Sequence, residues 1–121
     1  MAACGRPAVN RYLDQSLSDL INPSSDLIVQ LGVFCIDLNG QLSDALSTRS
    51  KKGILIAGLL SGEPATLADL QQGDVIRTLN GKPVRDTEHF RQALAALPKN
   101  SSVVLEIERD GIIQYVAFEI E

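Results

Sequence analysis

Gly53-Ile54-Leu55-Ile56-Ala57, Ser61-Gly62-Glu63-Pro64-Ala65, Leu70-Gln71-Gln72-Gly73-Asp74-Val75-Ile76 and Leu79-Asn80-Gly81-Lys82-Pro83-Val84 follow one another in a stretch that closes at Arg109-Asp110-Gly111. Ile54 to Leu60 is apolar without alternation, which predicts a short strand buried on both faces. Pro64 suits the first position of a short helix through Leu70, because its missing N–H has no partner to lose there. Val75 to Leu79 is the next strand, turned sharply by Asn80-Gly81. Asp86 or Thr87 can cap a helix over 87–97 that Pro98 ends, with Phe90, Ala93, Leu94 and Leu97 as its inner stripe. Val103–Arg109 and Ile112–Ile120 then form a hairpin across the two-residue turn Asp110-Gly111. On it Val103, Leu105, Ile107, Val116, Phe118 and Ile120 share the inner face. Glu106, Glu108, Gln114 and Glu119 take the opposite one, where solvation is the natural expectation.

Upstream, Leu27 to Leu38 is nearly continuous in apolar and β-branched residues and predicts one strand, with Gly32 marking a bend or a close backbone approach. Residues 41–47 form a short helical turn, and Arg49-Ser50-Lys51-Lys52 a basic, solvated loop. Val9, Leu13, Leu17 and Leu20 recur at helical spacing, so 9–21 is a candidate amphipathic helix, stopped by Asn22-Pro23-Ser24-Ser25. It serves either as a helical linker or as a partner-facing, homo-oligomerising element. The chain thus divides into an N-terminal helix and linker, 1–25, and one folded domain, 26–121. Five to six strands with two unequal helices predict an α+β fold, a small, partly open β-barrel or sandwich.

A chain of 121 residues supports one core. Hydrophobic residues make up 45% but aromatics only 4%, so that core rests on Leu, Ile, Val and Ala. A net charge of −4 with a single basic cluster argues against nucleic acid as a partner. No apolar run approaches a membrane span, and no signal peptide is visible. Ala2-Ala3-Cys4-Gly5 lacks the apolar stretch that precedes a lipoprotein cysteine. Cys4 and Cys35 do not make a disulfide framework, and one His without a close Cys pair makes no metal site. No cofactor is expected.

Catalytic groups are likewise missing from the sequence pattern. His89 is the only imidazole, and no Gly-x-Ser-x-Gly setting places a serine on a strained turn. Gly62 and Gly73 are too far apart to form a phosphate loop. Binding chemistry is better supported. An apolar strand that starts at a glycine turn beside a helix leaves a groove, into which an extended peptide can enter as an added strand. Backbone amides around Gly32 can form a nest that holds a carboxylate without a basic side chain.

This order of motifs resembles a PDZ domain of the HtrA/DegP type over residues 27–120, with 112–120 similar to the strand that lies last in the permuted bacterial form. The resemblance places the carboxylate-binding amides in Gln30-Leu31-Gly32-Val33, at Leu31, Gly32 and Val33. It puts the side chains of Leu31, Val33 and Cys35 in the pocket for the last peptide residue, with Phe34 and Ile36 on the other face. For the second wall it implies helix 87–97, with His89, Ala93 and Leu97, or Ala96 if the helix is rotated, facing the groove. On the residues alone, Leu31, Val33 and Ala93 are equally readable as core, with helix 9–21 closing the groove.

The implied function is a non-enzymatic module that binds hydrophobic protein C-termini, or internal and unfolded segments, as the recognition or regulatory domain of an HtrA-like serine protease. A periplasmic or otherwise extracytoplasmic setting follows from the same resemblance. The alternatives are a docking module of a secretion assembly and a stand-alone scaffold dimerised through residues 9–21.

Overall fold

The computed structural model describes residues 21–22, 26–46 and 48–120, so the helix expected over 9–21 lies outside them except for Ile21. Among the described residues the chain order is β1 (Leu27–Ile28), β2 (Val33–Asp37), α1 (Gly40–Leu46), β3 (Ile54–Leu59), α2 (Pro64–Leu67), β4 (Val75–Leu79), β5 (Lys82–Pro83), α3 (Thr87–Ala95), β6 (Ser102–Arg109) and β7 (Ile112–Glu119). One antiparallel sheet runs β1-β2-β3-β4-β6-β7, with β5 paired to β4. The expected α+β class holds, with α1 at the helical turn expected over 41–47 and β1 and β5 as strands not located from sequence.

The turns follow their chemistry. Asn80-Gly81 and Asp110-Gly111 both have two consecutive positive φ values, 51° and 84°, then 53° and 78°. Such a turn twists in the same sense as its flanking strands, which is why it closes tight hairpins. Inner side chains of the sheet, including Ile56, Ile76, Val103, Leu105 and Ile107, pack on Phe90 and Leu94 of α3 to form the main core. A second cluster, Leu38, Leu55, Ala57 and Val75, lies on the other face under Leu42 and Leu46 of α1, and Ile21 and Ile36 join it.

Two expectations are corrected. Residues 27–38 do not form one strand but a hairpin, with Leu27 opposite Phe34 and Ile28 opposite Val33. Gly32, at φ +74°, supplies the left-handed step that ends the four-residue turn 29–32. Glu108 is not solvated. It is buried, and its carboxylate accepts from Arg49 N at 2.7 Å, Ser50 N at 2.8 Å and Ser50 Oγ at 2.6 Å. The reason is the basic loop, which folds over that strand face and is itself ordered by Ser43 Oγ donating to Ser50 O at 2.8 Å.

Candidate functional site

β2 has β3 along one edge, and its other edge looks toward α3. The helix is fixed there at its start. Asp86 caps it by accepting from His89 N at 2.7 Å, and Thr87 N donates to Asp37 Oδ1 at 2.7 Å, tying the first turn to the end of β2. One turn on, the Arg91 guanidinium donates from Nη2 to Leu27 O at 3.3 Å and pairs through Nη1 with Glu88 at 2.9 Å. Thr87 and Arg91, four residues apart, therefore form the helix face turned to β1 and β2. The Thr87 hydroxyl is buried there without a partner among the described residues.

The open edge expected beside Gly32 is occupied at Val33 and Phe34 by the chain's own Leu27 and Ile28. Ile28 is fully buried and packs in the core cluster that holds Leu31, Val33, Cys35, Phe90 and Leu94. Its carbonyl accepts from Gly32 N at 2.8 Å and Leu31 N at 3.2 Å. Two of the three amides foreseen as a nest, those of Leu31 and Gly32, are thus engaged by a carbonyl of their own turn. From Cys35 to Asp37 the same edge has no ladder partner among the described residues.

The turn is fastened from behind. Leu31 O accepts from Ala65 N at 3.1 Å, and Gly32 O accepts from Leu60 N at 2.8 Å. A Cβ built on Gly32 would lie 2.3 Å from the Glu63 Cβ, so only glycine fits between the turn and the start of α2. Cys35 is a free, buried thiol. Burial pushes its pKa far up; the Arg91 charge opposes this, while Asp26 and Asp37 add to it. It remains a neutral thiol and packs as a small hydrophobe.

The sequence-derived residues divide into two places. Leu31, Gly32, Val33 and Cys35 come together at the turn and the first half of β2, all buried, while Phe34 is half-buried. His89, Ala93 and Leu97 lie elsewhere. They line a separate cleft of about 290 Å³ against Leu79, Pro83 and Val84, toward the β4–β5 turn. There His89 Nδ1 accepts from Arg85 N at 3.2 Å. The helix wall expected from sequence is thus rotated away from β2. Residues not anticipated are Leu27, Ile28, Thr87 and Arg91. The i, i+4 face that begins just after the Asp86 cap was the available signal for the helix pair. Apolar residues on both sides of Gly32 were the signal for the hairpin.

A family profile described as PDZ domain matches residues 29–120. Among curated proteins, the periplasmic serine endoprotease DegP of Escherichia coli is 30% identical over 92 residues, covering 76% of this chain and 19% of that protein. A probable DegP-like periplasmic serine endoprotease of Pseudomonas fluorescens is 35% identical over 91 residues, 75% of this chain and 18% of its own length. The chain therefore spans about a fifth of these relatives. Among solved structures, the HtrA-type protease AlgW with a decapeptide superposes with a TM-score of 0.68 at 26% identity, covering 74% of this chain and 28% of that one. The HtrA3 PDZ domain bound to a phage-derived ligand, FGRWV, superposes at 0.66 with 22% identity over 75% of this chain and 83% of that one, a likeness of fold.

Proposed function

The chain belongs to the PDZ domain family, and on that premise we propose that it is a non-catalytic module that binds hydrophobic peptide segments by strand addition between β2 and α3. Its host is an HtrA-like serine protease, for which it recognises substrates or senses polypeptide ends. The observation that carries this reading is the strand already added at that edge: Leu27–Ile28 lies antiparallel to Val33–Phe34, and its last carbonyl collects two consecutive loop amides. A peptide end offers the same backbone direction, an apolar last side chain and an oxygen for the amides of Leu31 and Gly32.

Each proposed contact has a physical role. The ladder along β2 supplies affinity with little regard to sequence. Leu31, Val33, Cys35 and Leu94 belong to one buried cluster, which serves as the apolar lining for the last side chain. The neutral Cys35 thiol keeps that lining apolar. Relatives named as DegP endoproteases and a neighbour solved with a decapeptide support the host and the ligand class. Short peptides bury little surface and give up chain entropy, so binding is of modest strength. Titration with peptides ending in Val, Leu or Phe, beside amidated copies, tests it. Free-acid peptides should bind more tightly. Equal binding of the amidated set would remove the carboxylate nest and leave internal segments as the ligand.

A further inference from the structure

We propose that Asp26-Leu27-Ile28 is a built-in pseudo-ligand, which a guest peptide must displace and whose last residue defines the preferred guest as one ending in a branched aliphatic side chain. This rests on the reading of the groove as a peptide site and specifies how that site is regulated.

The segment fills the site in each respect that the chemistry requires. Its direction is antiparallel to β2, on the edge turned to α3, and its register ends with Ile28 opposite Val33. The Ile28 side chain is fully buried in the core cluster that also holds Leu31, Val33, Cys35 and Leu94, where a guest's last side chain would go. The Ile28 carbonyl occupies the amides of Leu31 and Gly32, where a guest's terminal oxygen would go. From the helix wall, Arg91 Nη2 reaches the Leu27 carbonyl at 3.3 Å. A guest cannot use these groups while the segment does.

The ladder itself is nevertheless short. β1 has only two residues in its ladder, and the next residue, Val29, is 73% exposed. Upstream, Asn22 N donates to Asp26 Oδ2 and Asp26 N to Asn22 O, both at 2.8 Å, and Ile21 is packed on the opposite face of the sheet. Residues 26–28 therefore form a short strap that leads directly into the Gly32 turn. A guest of four or five residues can extend its ladder past Phe34 to Cys35–Asp37, which the strap leaves uncovered. Because the strap competes intramolecularly, the apparent affinity for any guest falls by the fraction of molecules in which the groove is vacant.

The test uses the full chain and the strap's own sequence in trans, the free-acid peptide Ser-Ser-Asp-Leu-Ile copied from residues 24–28. One variant releases the strap, Ile28→Asn, which puts a polar group in the apolar pocket. A second locks it, Leu27→Cys with Phe34→Cys in a Cys4→Ser background, joining two directly opposed positions. Binding is read by calorimetry and folding by circular dichroism. Expected are at least tenfold tighter binding to the released variant than to the unaltered chain, and no binding to the locked variant until it is reduced. Equal affinity in all forms would overturn the strap while keeping a peptide site. No binding to a folded released variant or to the reduced double-cysteine form would overturn the peptide reading with it. If Ile28→Asn does not fold, the oxidised and reduced states of the second variant decide alone, and equal affinity in both overturns the strap.

Discussion

The sheet ends in two hairpins that are held very differently. β6 and β7 pair at every position from Ser102–Glu119 to Arg109–Ile112, across a two-residue turn. Side chains beside that turn are tied into the rest of the fold. Arg109 grips Asp74 through Nε and Nη2 at 2.8 and 2.7 Å, and Glu108 gathers the 48–52 loop. β1 and β2 pair at only two positions, across a four-residue turn tied to Leu60 and Ala65, and Arg91 reaches the Leu27 carbonyl at 3.3 Å. A ladder of two pairs opens at lower cost than one of eight, so the β1 end is where local opening is to be tested. The difference fits the proposed division of labour, in which one end holds the fold together and the other gives way to a guest strand.

The largest effect should come from breaking the strong end. Asp74 is 1% exposed and Arg109 19%. Removing the guanidinium by Arg109→Leu leaves a buried carboxylate without its cation, which costs about 3–5 kcal/mol. Urea unfolding should show this as a lower midpoint with an unchanged slope, while folded molecules keep their peptide affinity. A loss under about 1 kcal/mol would mean that the pair behaves as a solvated one.

Gly32 is where the two ends of the comparison meet. A β-branched residue there would disturb the fold as well as any binding, since both the positive φ and the Glu63 contact oppose a side chain. Gly32→Val should cost about 1–3 kcal/mol from backbone strain alone, with the steric clash added to it. Glu63→Gly should recover the steric part and not the backbone part, and a double-mutant cycle in urea separates the two.

A smaller effect, and a pH-dependent one, is expected at Glu108. Burial alone would raise its pKa, but the hydrogen bonds from Ser50 Oγ and from the amides of Arg49 and Ser50 outweigh that and hold it below the ordinary value. A depressed folded-state pKa contributes stability above the unfolded value of roughly 4.3 and loses it as pH falls through the lower one. Glu108→Gln should therefore cost about 1.5–3 kcal/mol at neutral pH, narrowing as the pH drops below 4.3. A constant difference across that range would show that the carboxylate charge is not what the loop amides use.

The same contrast explains what was legible from sequence. The strands at 54–59, 75–79, 102–109 and 112–119, and the helix that starts at Thr87, are encoded by local period and by turn residues such as Asn80-Gly81. Their chemistry acts within a few positions, so a single sequence displays it. The hairpin at 27–34 is apolar on both arms and has only Gly32 to mark its turn, so it reads as one strand. Glu108 obeys the alternation of an exposed face, and only the return of residues 48–52 buries it. In α3 the stripe Phe90, Leu94 and Leu97 shows which face meets the core. It carries no record of which flank meets β2, and that flank proved to be Thr87 and Arg91 rather than His89 and Ala93.

Arg91 sharpens the comparison at its smallest scale, because strap and guest should use it alike. Its 3.3 Å bond to Leu27 O is to a backbone carbonyl, which a guest strand would also present to the helix wall. Arg91→Ala removes a charged donor worth up to about 1 kcal/mol at a partly exposed site. In the unaltered chain the strap and the incoming peptide lose the same bond, so the losses cancel and apparent affinity should stay within about twofold. In Ile28→Asn no strap competes, and the loss falls on the guest alone, up to about fivefold in affinity since 1.4 kcal/mol is tenfold. Calorimetry on the four proteins of this cycle reads the difference directly. Equal weakening in both backgrounds would mean that the strap does not share the guest's place under α3. Strengthening in the unaltered chain would mean that Arg91 serves only to hold the strap down.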